Sequence, residues 1–252
     1  MFMRLVQVRI RPESRADFVR LYEEVIMPNL QATPGCLYAG LVQSIRRDDE
    51  GVSLTIWDSP RHAEAYEKSG VFQRMIEESK PFFSDSSEWR VQLTKDLQLE
   101  YAPVAQEPVV KSYSHAAGTG TGPPAPGYAS FLYLRMVSMR VQAEKTEEFR
   151  SIFENEVLPQ IRSATGCMYV YLVENVEQKD EWLCISIWNS KADADQYEQS
   201  GVFGRLRAKL EPTFSSLFQW KVGLDKQLGK QAVTSEDMSV SGYTVVAGKS
   251  FE

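Results

Sequence analysis

The stretch YEKSGVFQR at residues 66–74 recurs as YEQSGVFGR at residues 197–205, 131 positions later. The same offset aligns further segments without a gap: RLVQVRI (4–10) with RMVSMRV (135–141), PGCLYAGLV (34–42) with TGCMYVYLV (165–173), LTIWDS (54–59) with ISIWNS (185–190), and EWRVQL (88–93) with QWKVGL (219–224). Repetition at a fixed period indicates duplicated structural units. The chain is therefore predicted to contain two copies of one α+β unit.

Each copy extends beyond these aligned segments. VKSYSHAAG (110–118) resembles VSGYTVVAG (240–248), so each unit is predicted to end in an additional short strand. Between the copies, TGTGPPAPGYAS (119–130) is rich in Gly and Pro, a composition typical of linkers. The predicted organisation is a first domain with its extension at 1–118, the linker at 119–130 and a second domain with its extension at 131–252.

The hydrophobic period within each copy changes in the same order. In the first copy, alternating apolar residues at 2–11 predict a strand, and apolar residues at helical spacing between Phe18 and Leu30 predict a helix. Pro28, like Pro159 in the second copy, is expected to kink or end that helix. Two strands are predicted next, the second ending at Trp57 or, in the second copy, at Trp188.

A second helix follows, with N-cap chemistry at Ser59 and a break at Gly70, and a fourth strand is predicted to carry Trp89 or, in the second copy, Trp220. The order β-α-β-β-α-β is the ferredoxin-like pattern. Both faces of the first strand are apolar, which suits a sheet buried on both sides. The predicted fold is α+β: tandem ferredoxin-like domains whose sheets pack together as an intramolecular dimeric α/β-barrel.

The bulk composition excludes several classes of function. A net charge of −6 and an isoelectric point near 5.2 disfavour nucleic acid as a partner. The N-terminus shows no signal-peptide pattern and no apolar run is long enough to span a membrane, so a cytoplasmic location without a membrane partner is expected. Cys36, Cys167 and Cys184 form no CxxC motif, and they are interpreted as small buried apolar residues rather than as disulfide or metal sites.

These motifs resemble those of the antibiotic biosynthesis monooxygenase family of the dimeric α/β-barrel superfamily. The resemblance rests on the element order, on PGC or TGC at the start of the second strand, on the Trp-x-Ser step, and on the helix YEKSGVF or YEQSGVF. It covers about 95 residues of each copy. The resemblance implies a pocket between sheet and helices in each unit. It also implies an activity drawn from a range that includes cofactor-independent oxygenation of aromatic compounds, haem degradation and isomerisation of small sugar phosphates.

The resemblance also indicates which positions a haem-degrading member would use. Such a member is expected to place a Trp in the second helix and a His about ten residues later, whereas Tyr66 and Ile76 stand there in the first copy. The two histidines, His62 and His115, have no histidine counterpart in the second copy. A haem site in both pockets is therefore excluded, a haem site in one pocket is disfavoured, and no cofactor or metal is predicted.

The side chains that both copies share are mainly aromatic, together with pairs of arginines. Trp and Tyr place a polar group on an apolar wall and suit a pocket for a flat ligand, although core packing is the alternative. The arginine pairs shared by both copies are Arg4 with Arg135 and Arg9 with Arg140. A buried Arg needs a partner, so one of these pairs is expected to hold an anionic group or to contact Glu23 or Glu154, and a salt bridge at an edge or interface is the alternative. The predicted substrate-binding residues are Trp57, Tyr66, Tyr38 and Arg4, with Trp188, Tyr197, Tyr169 and Arg135 in the second copy.

Two functions remain open on the sequence alone. The first is a cofactor-independent, monooxygenase-like oxidoreductase acting on a small aromatic or quinol-type molecule. The second is a non-catalytic protein that binds a small ligand or is purely structural. The halves also differ, since Gly51 aligns with Trp182 and Gly40 with Tyr171, so one pocket is expected to be filled while the other stays open. The expected assembly is the intramolecular pseudo-dimer, with further homo-oligomerisation left open.

Overall fold

The computed structural model describes residues 1–93, 99–118, 132–215 and 238–251. Its strands are β1 (Phe2–Arg9), β2 (Cys36–Ser44), β3 (Glu50–Trp57), β4 (Asp85–Leu93), β5 (Leu99–Ala105), β6 (Val109–Gly118), β7 (Tyr133–Arg140), β8 (Cys167–Asn175), β9 (Glu181–Trp188) and β10 (Met238–Ser250). The predicted linker at 119–130 and the predicted strand around Trp220 lie outside the described residues.

The first half of the chain is residues 1–118 and the second half is residues 132–251. The helices flank the sheet in the same order in both halves. The first half has α1 (Arg15–Leu21), α2 (Met27–Gln31), α3 (Pro60–Lys68) and α4 (Val71–Ser79). The second half has α5 (Thr146–Ile152), α6 (Leu158–Arg162), α7 (Lys191–Gln199) and α8 (Val202–Leu210). Among the described residues, no helix is long and apolar enough to cross a lipid bilayer.

Eight strands form a closed antiparallel barrel in the order β1-β3-β2-β10-β7-β9-β8-β6, with β6 returning to β1. The strand β6 pairs with β1 of its own half and with β8 of the other half. The strand β10 likewise pairs with β7 and with β2. The predicted tandem α+β fold with an intramolecular α/β-barrel is confirmed, and the two C-terminal strands are the elements that join the halves.

The predicted fourth strand is present as β4, but it lies outside the barrel. The strand that contains Trp89, β4, pairs with β5 in a separate two-stranded sheet instead of entering the barrel. The place beside β1 belongs to β6, which buries Tyr113 and Ala117. The strand β6 supplies Tyr113 to the barrel interior and pairs with β8 of the other half, so it closes the barrel beside β1.

Of the two outcomes expected at Pro28, a kink or an end of the helix, the helix does not end there. A π-helical segment, Tyr22–Ile26, precedes Pro28 and links α1 to α2, so the helix continues to Gln31. In the wider turn, the N–H of Met27 donates to the carbonyl of Tyr22 five residues earlier. The second half repeats this arrangement before Pro159, with a π-helical segment at 153–157. The π turn accommodates a ring that would otherwise clash with the preceding turn.

Alternating residues of the barrel strands divide the core into three parts. One apolar cluster fills the barrel interior, and the other two lie between each half of the barrel and its helices. In β3, for example, Leu54 and Ile56 face the interior cluster while Trp57 faces the helices. Each half therefore encloses its own space on the helix side of the sheet, which is where the family resemblance implies a pocket.

Two buried glutamates connect the halves at one end of the barrel. Tyr113 on β6 donates a hydrogen bond to Oε1 of Glu181 on β9 at 2.7 Å. Tyr243 on β10 donates to Oε1 of Glu50 on β3 at 2.9 Å. Lys111 adds two contacts to Glu181, at 2.8 and 3.1 Å. Each of these hydrogen bonds joins one half of the chain to the other.

Acid is expected to weaken the Glu181 contacts and with them the fold. Burial raises the pKa of this carboxyl, but the hydrogen bonds from Lys111 and Tyr113 and the charges of Lys111 and Arg140 hold it below its ordinary value of 4.5. A lowered native pKa contributes stability above the unfolded pKa, and that contribution is lost as the pH falls from about 5 through the native pKa. Urea unfolding measured across this pH range should therefore be less pH-dependent in Glu181→Gln, and an unchanged pH dependence would contradict the assignment.

Candidate functional site

A small apolar cavity lies in the first half between the sheet and the helices. Its volume is about 50 Å³. It is lined by Arg4, Val6, Val8, Phe18, Tyr22, Ile26, Leu30, Ser53, Thr55, Tyr66, Phe72, Met75, Ile76, Ser79 and Phe83. A cavity of this size holds a few water molecules, whereas an engineered apolar cavity that binds benzene measures about 150 Å³. It is called the helix-side cavity below.

Arg4 is the charged residue in the wall of this cavity, and it is only 4% exposed. Its Nη2 donates to Oε2 of Glu67 at 2.9 Å, and its Nη1 donates to the carbonyl of Ala63 at 3.3 Å. Its buried Nε–H has no acceptor among the described residues. An unpaired buried donor is costly, so a ligand oxygen that accepts from it would be stabilised.

The polar groups deeper in the cavity are neutral hydroxyls. The hydroxyl of Tyr22 lies 3.0 Å from Oγ of Ser53. Burial raises the pKa of Tyr22 above its ordinary value of 10.0, and burial raises the pKa of Tyr66 to about 12. Both phenols are protonated at neutral pH and can act as hydrogen-bond donors. The described lining thus combines a cation with hydroxyls and an apolar wall.

Three predicted site residues of the first copy come together here. The rings of Trp57 and Tyr66 lie 5.4 Å apart, and Tyr66 lies 6.0 Å from Phe72. The guanidinium carbon of Arg4 lies 5.7 Å from the centre of the Phe72 ring. Trp57 is fully buried and donates through Nε1 to Thr55 at 2.9 Å, so it supports the wall of the cavity from behind.

The other predicted aromatic pair is located elsewhere. Tyr38 belongs to the cluster inside the barrel, and Tyr169 packs against the same cluster. Tyr169 stacks on Tyr171 with ring centres 6.3 Å apart. Because successive strand residues face opposite sides of a sheet, these side chains do not share the helix-side cavity with Arg4 and Tyr66.

The second half repeats the Arg-Glu-aromatic arrangement in a more closed form. Nε of Arg135 donates to Oε1 of Glu198 at 2.7 Å, and its guanidinium carbon lies 4.1 Å from the centre of the Phe203 ring. The rings of Trp188 and Tyr197 lie 5.3 Å apart. Here the cation is stacked directly on the aromatic ring, whereas the equivalent distance in the first half is longer by more than an ångström.

Of the arrangements expected for the paired arginines, the contact with Glu23 or Glu154 was wrong and the salt bridge is what forms. Arg4 contacts Glu67 and Arg135 contacts Glu198. Both partners lie on the helix after β3 or β9, because that helix packs beside the first strand of its half. The second arginine pair forms half-exposed ion pairs, Arg9 with Asp49 and Arg140 with Asp180.

Residues that distinguish the halves give the helix-side cavity its polarity. Tyr22, Ser53 and Ser79 line it, and the equivalent residues in the second half are Phe153, Cys184 and Leu210, which are all buried in an apolar cluster. These three residues were not predicted, because the predicted site residues are those that both copies share. The signal that could have found them was polar-to-apolar replacement at positions facing the helices.

One difference between the halves is a buried tryptophan in the second helix-side core. Trp182 replaces Gly51, is 1% exposed and lies 5.1 Å from the Phe149 ring. Its Nε1 has no hydrogen-bond partner among the described residues. The side chain therefore contributes bulk to the second helix-side core, in keeping with the expectation of unequal halves.

Histidine and cysteine play no part in the cavity wall. His62 contacts Oδ1 of Asp58 at 2.7 Å on an exposed part of α3. Burial raises the pKa of each of the three thiols to about 12, and Cys36 and Cys184 are buried as expected while Cys167 is partly exposed. Within the described ranges, no group of three His, Cys, Asp or Glu side chains could hold a metal ion.

Both halves of the chain match one known protein family. The family model described as antibiotic biosynthesis monooxygenase matches residues 1–78 and 132–209. The chain belongs to the antibiotic biosynthesis monooxygenase family. The two matched segments confirm two tandem copies of the family unit, and membership supports a monooxygenase-like function. No match is found among curated protein sequences.

Solved structures share the fold of this family member at low sequence identity. A candidate monooxygenase from Lactobacillus acidophilus NCFM has a TM-score of 0.61 at 10% identity, covering 99% of this chain and 95% of its own. A candidate monooxygenase from Fusobacterium nucleatum has the same score and identity, covering 99% and 94%. An anthrone oxidase-like protein has a TM-score of 0.58 at 12% identity, covering 99% and 92%. At such identities the likeness concerns the fold alone.

Proposed function

We propose that the first half is a cofactor-independent monooxygenase acting on a small aromatic or quinol-type molecule in the helix-side cavity. The observation that carries the proposal is a buried Arg4 with an unpaired Nε–H, in a wall whose other residues are apolar or carry neutral hydroxyls. Family membership supports the reaction class, and the protonated Tyr22 and Tyr66 supply neutral hydrogen-bond donors.

Arg4 acts on the substrate oxygen in this proposal. A phenol or enol that loses its proton becomes an oxyanion, and a guanidinium in a dry site stabilises that charge and lowers the substrate pKa. The electron-rich ring then transfers an electron to O₂ without help from the protein. In an anthrone-type substrate, the ring CH₂ carbon loses two hydrogens and gains one oxygen atom, and the second oxygen atom leaves with those hydrogens as water. In a quinol, which has no such carbon, the two hydroxyl hydrogens pass to O₂, and the products are the quinone and hydrogen peroxide.

Substrate binding requires the cavity to widen. An aromatic ring exceeds the roughly 50 Å³ present. Phe72, Met75, Ile76 and Ser79 all project from α4, which begins after Gly70, a residue with a φ of +79°. Because α4 supplies one whole side of the cavity and is only nine residues long, its outward displacement is the simplest way to admit a ring.

Oxygen uptake with a panel of anthrone- and quinol-like compounds tests the proposal directly. Turnover is expected to consume one O₂ for each molecule of quinone-type product. A null panel, combined with a crystal structure in which the cavity stays closed after soaking with these compounds, would overturn it.

Filling the cavity should block turnover without harming the fold. Ser79→Leu introduces the residue that the second half carries as Leu210. The lost hydrogen bond, from Oγ of Ser79 to the Met75 carbonyl within α4, is dispensable for the helix. We expect kcat/KM to fall at least about tenfold, as for other pockets altered by a few methylenes, with unchanged circular dichroism. Gln73→Leu, on the exposed side of α4, is the matched control and should keep full activity.

The alternative is a ligand-binding protein without catalysis. It is favoured by one observation: burial keeps both cavity phenols protonated, so neither can serve as a base at neutral pH. This alternative predicts thermal stabilisation by an aromatic compound with no oxygen uptake. It also predicts that Tyr66→Phe and Tyr197→Phe leave binding unchanged.

A further inference from the structure

A second, polar cavity of about 390 Å³ opens at the barrel end where the two buried glutamates lie. Its floor is the apolar interior of the barrel, and both halves contribute to its wall through Glu50, Tyr243, Glu181, Tyr113, Lys111 and Ser241. It faces the inside of the barrel and is separate from the helix-side cavity. It is called the barrel-end cavity below.

Because the halves are copies of one unit, each residue around Glu181 has an equivalent residue around Glu50. On one side, Nζ of Lys111 contacts both carboxylate oxygens of Glu181, at 2.8 and 3.1 Å. On the other side, the repeat places Ser241 at the position equivalent to Lys111, opposite Glu50. The tyrosine contact is kept on both sides, but the lysine ammonium is present on one side only.

Glu50 has a weak cationic partner instead. Among the described residues its salt bridge is to Arg47, at 3.5 Å and with the arginine side chain 59% exposed. The Glu50 side chain itself is only 9% exposed. A buried carboxylate is stable only when it is well paired, and a long contact to a solvated guanidinium supplies little of that pairing.

We propose that the barrel-end cavity binds a small primary amine, whose ammonium takes the place on Glu50 that Lys111 occupies on Glu181. The rest of the ligand is polar, since four serines, Ser44, Ser138, Ser239 and Ser241, line the cavity together with Arg46. An amino alcohol would be held by the hydroxyls, and an amino acid would also place its acid group toward the arginines. The primary ammonium is the chemistry common to both.

Isothermal titration calorimetry with ethanolamine and with β-alanine tests the site, and ethylene glycol serves as the probe without an ammonium. One amine is expected to bind per chain, and ethylene glycol is not expected to bind. Tighter binding of β-alanine would show that the arginines contact an acid group, and tighter binding of ethanolamine would show that the serines dominate. Both results support an ammonium site on Glu50, whereas no heat with either amine overturns it.

Variants separate the proposed contact from general charge effects. Glu50→Gln keeps an acceptor for Tyr243 but loses the charge, and Ser241→Lys supplies the missing ammonium from the chain itself. Each should weaken amine binding at least tenfold, and Ser241→Lys should also raise the melting temperature without ligand. Thr244→Lys adds the same charge at an exposed position of β10 outside the cavity and should leave binding intact.

Arg47→Gln removes the competing guanidinium and is expected to tighten the binding of ethanolamine, which has no acid group to contact an arginine. Amine binding that survives Glu50→Gln and Ser241→Lys unchanged, or ethanolamine binding that is lost in Arg47→Gln, would overturn the proposal. Oxygen uptake by the helix-side cavity is measured on the same variants, so that a failure of one site is distinguished from a failure of the other.

Discussion

Replacing Trp182 with alanine is expected to lower the free energy of unfolding by about 3–5 kcal/mol. The side chain is 1% exposed and contacts Phe149 in the second helix-side core, where no equivalent bulk exists at Gly51 of the first half. Its removal leaves a cavity lined by apolar groups that cannot collapse fully. Urea unfolding followed by far-ultraviolet circular dichroism measures the change.

Trp182→Phe is the matched control. The indole Nε1 has no hydrogen-bond partner among the described residues, so phenylalanine removes a buried unpaired donor while keeping most of the volume. We expect a loss below about 1.5 kcal/mol, in line with other substitutions that nearly conserve volume. Equal destabilisation by alanine and phenylalanine would mean that the indole N–H, rather than the packing, stabilises the second half.

Replacing Arg4 with glutamine is expected to lower kcat/KM for an oxidisable quinol-type substrate about 10²-fold, the typical effect of removing one donor to a developing oxyanion. The variant keeps a hydrogen-bonding side chain but loses the cation that is proposed to hold the substrate oxyanion. Glu67, the partner left behind, is 55% exposed in its side chain and can be solvated, so the fold should survive. Oxygen uptake gives the rate.

The pH dependence distinguishes an electrostatic role of Arg4 from a structural one. If the guanidinium lowers the substrate pKa, the rise of the rate with pH should move to higher pH in Arg4→Gln, because the substrate then ionises closer to its value in water. Arg135→Gln makes the same change in the second half and should alter the rate by less than about threefold if the first half alone turns over. A profile that keeps its midpoint in Arg4→Gln would contradict the role given to this residue.

The architecture could be predicted largely because each strand, helix and capping pattern occurs in both copies of the repeat. Strands ending at Trp57 and Trp188, helix caps at Ser59 and Ser190, and the break at Gly70 occur where the sequence predicted them. Local signals of this kind depend on neighbouring residues, and duplication removes the coincidences that mislead a single copy.

What the sequence could not show depends on residues far apart in the chain. The choice of β6 over β4 as the partner of β1 is decided by which segment can fill the barrel interior, and neither segment reveals this alone. The pairing of Arg4 with Glu67 depends in the same way on how α3 packs beside β1. The hydroxyls of Tyr22, Ser53 and Ser79 in the wall of the helix-side cavity were missed for a different reason, because they are absent from the second copy.

The edge of β2 that pairs with β10 stays uncovered while the ribosome synthesises the second half. When the ribosome has finished β6, the free edge of β2 still lacks the strand that covers it, and residues 238–250 emerge only after the whole second half. At ordinary elongation rates of about 5–20 residues per second, this wait lasts on the order of ten to twenty seconds. An uncovered strand edge readily pairs with other chains. The nascent chain is therefore most vulnerable to aggregation, and most in need of a chaperone, during synthesis of its second half.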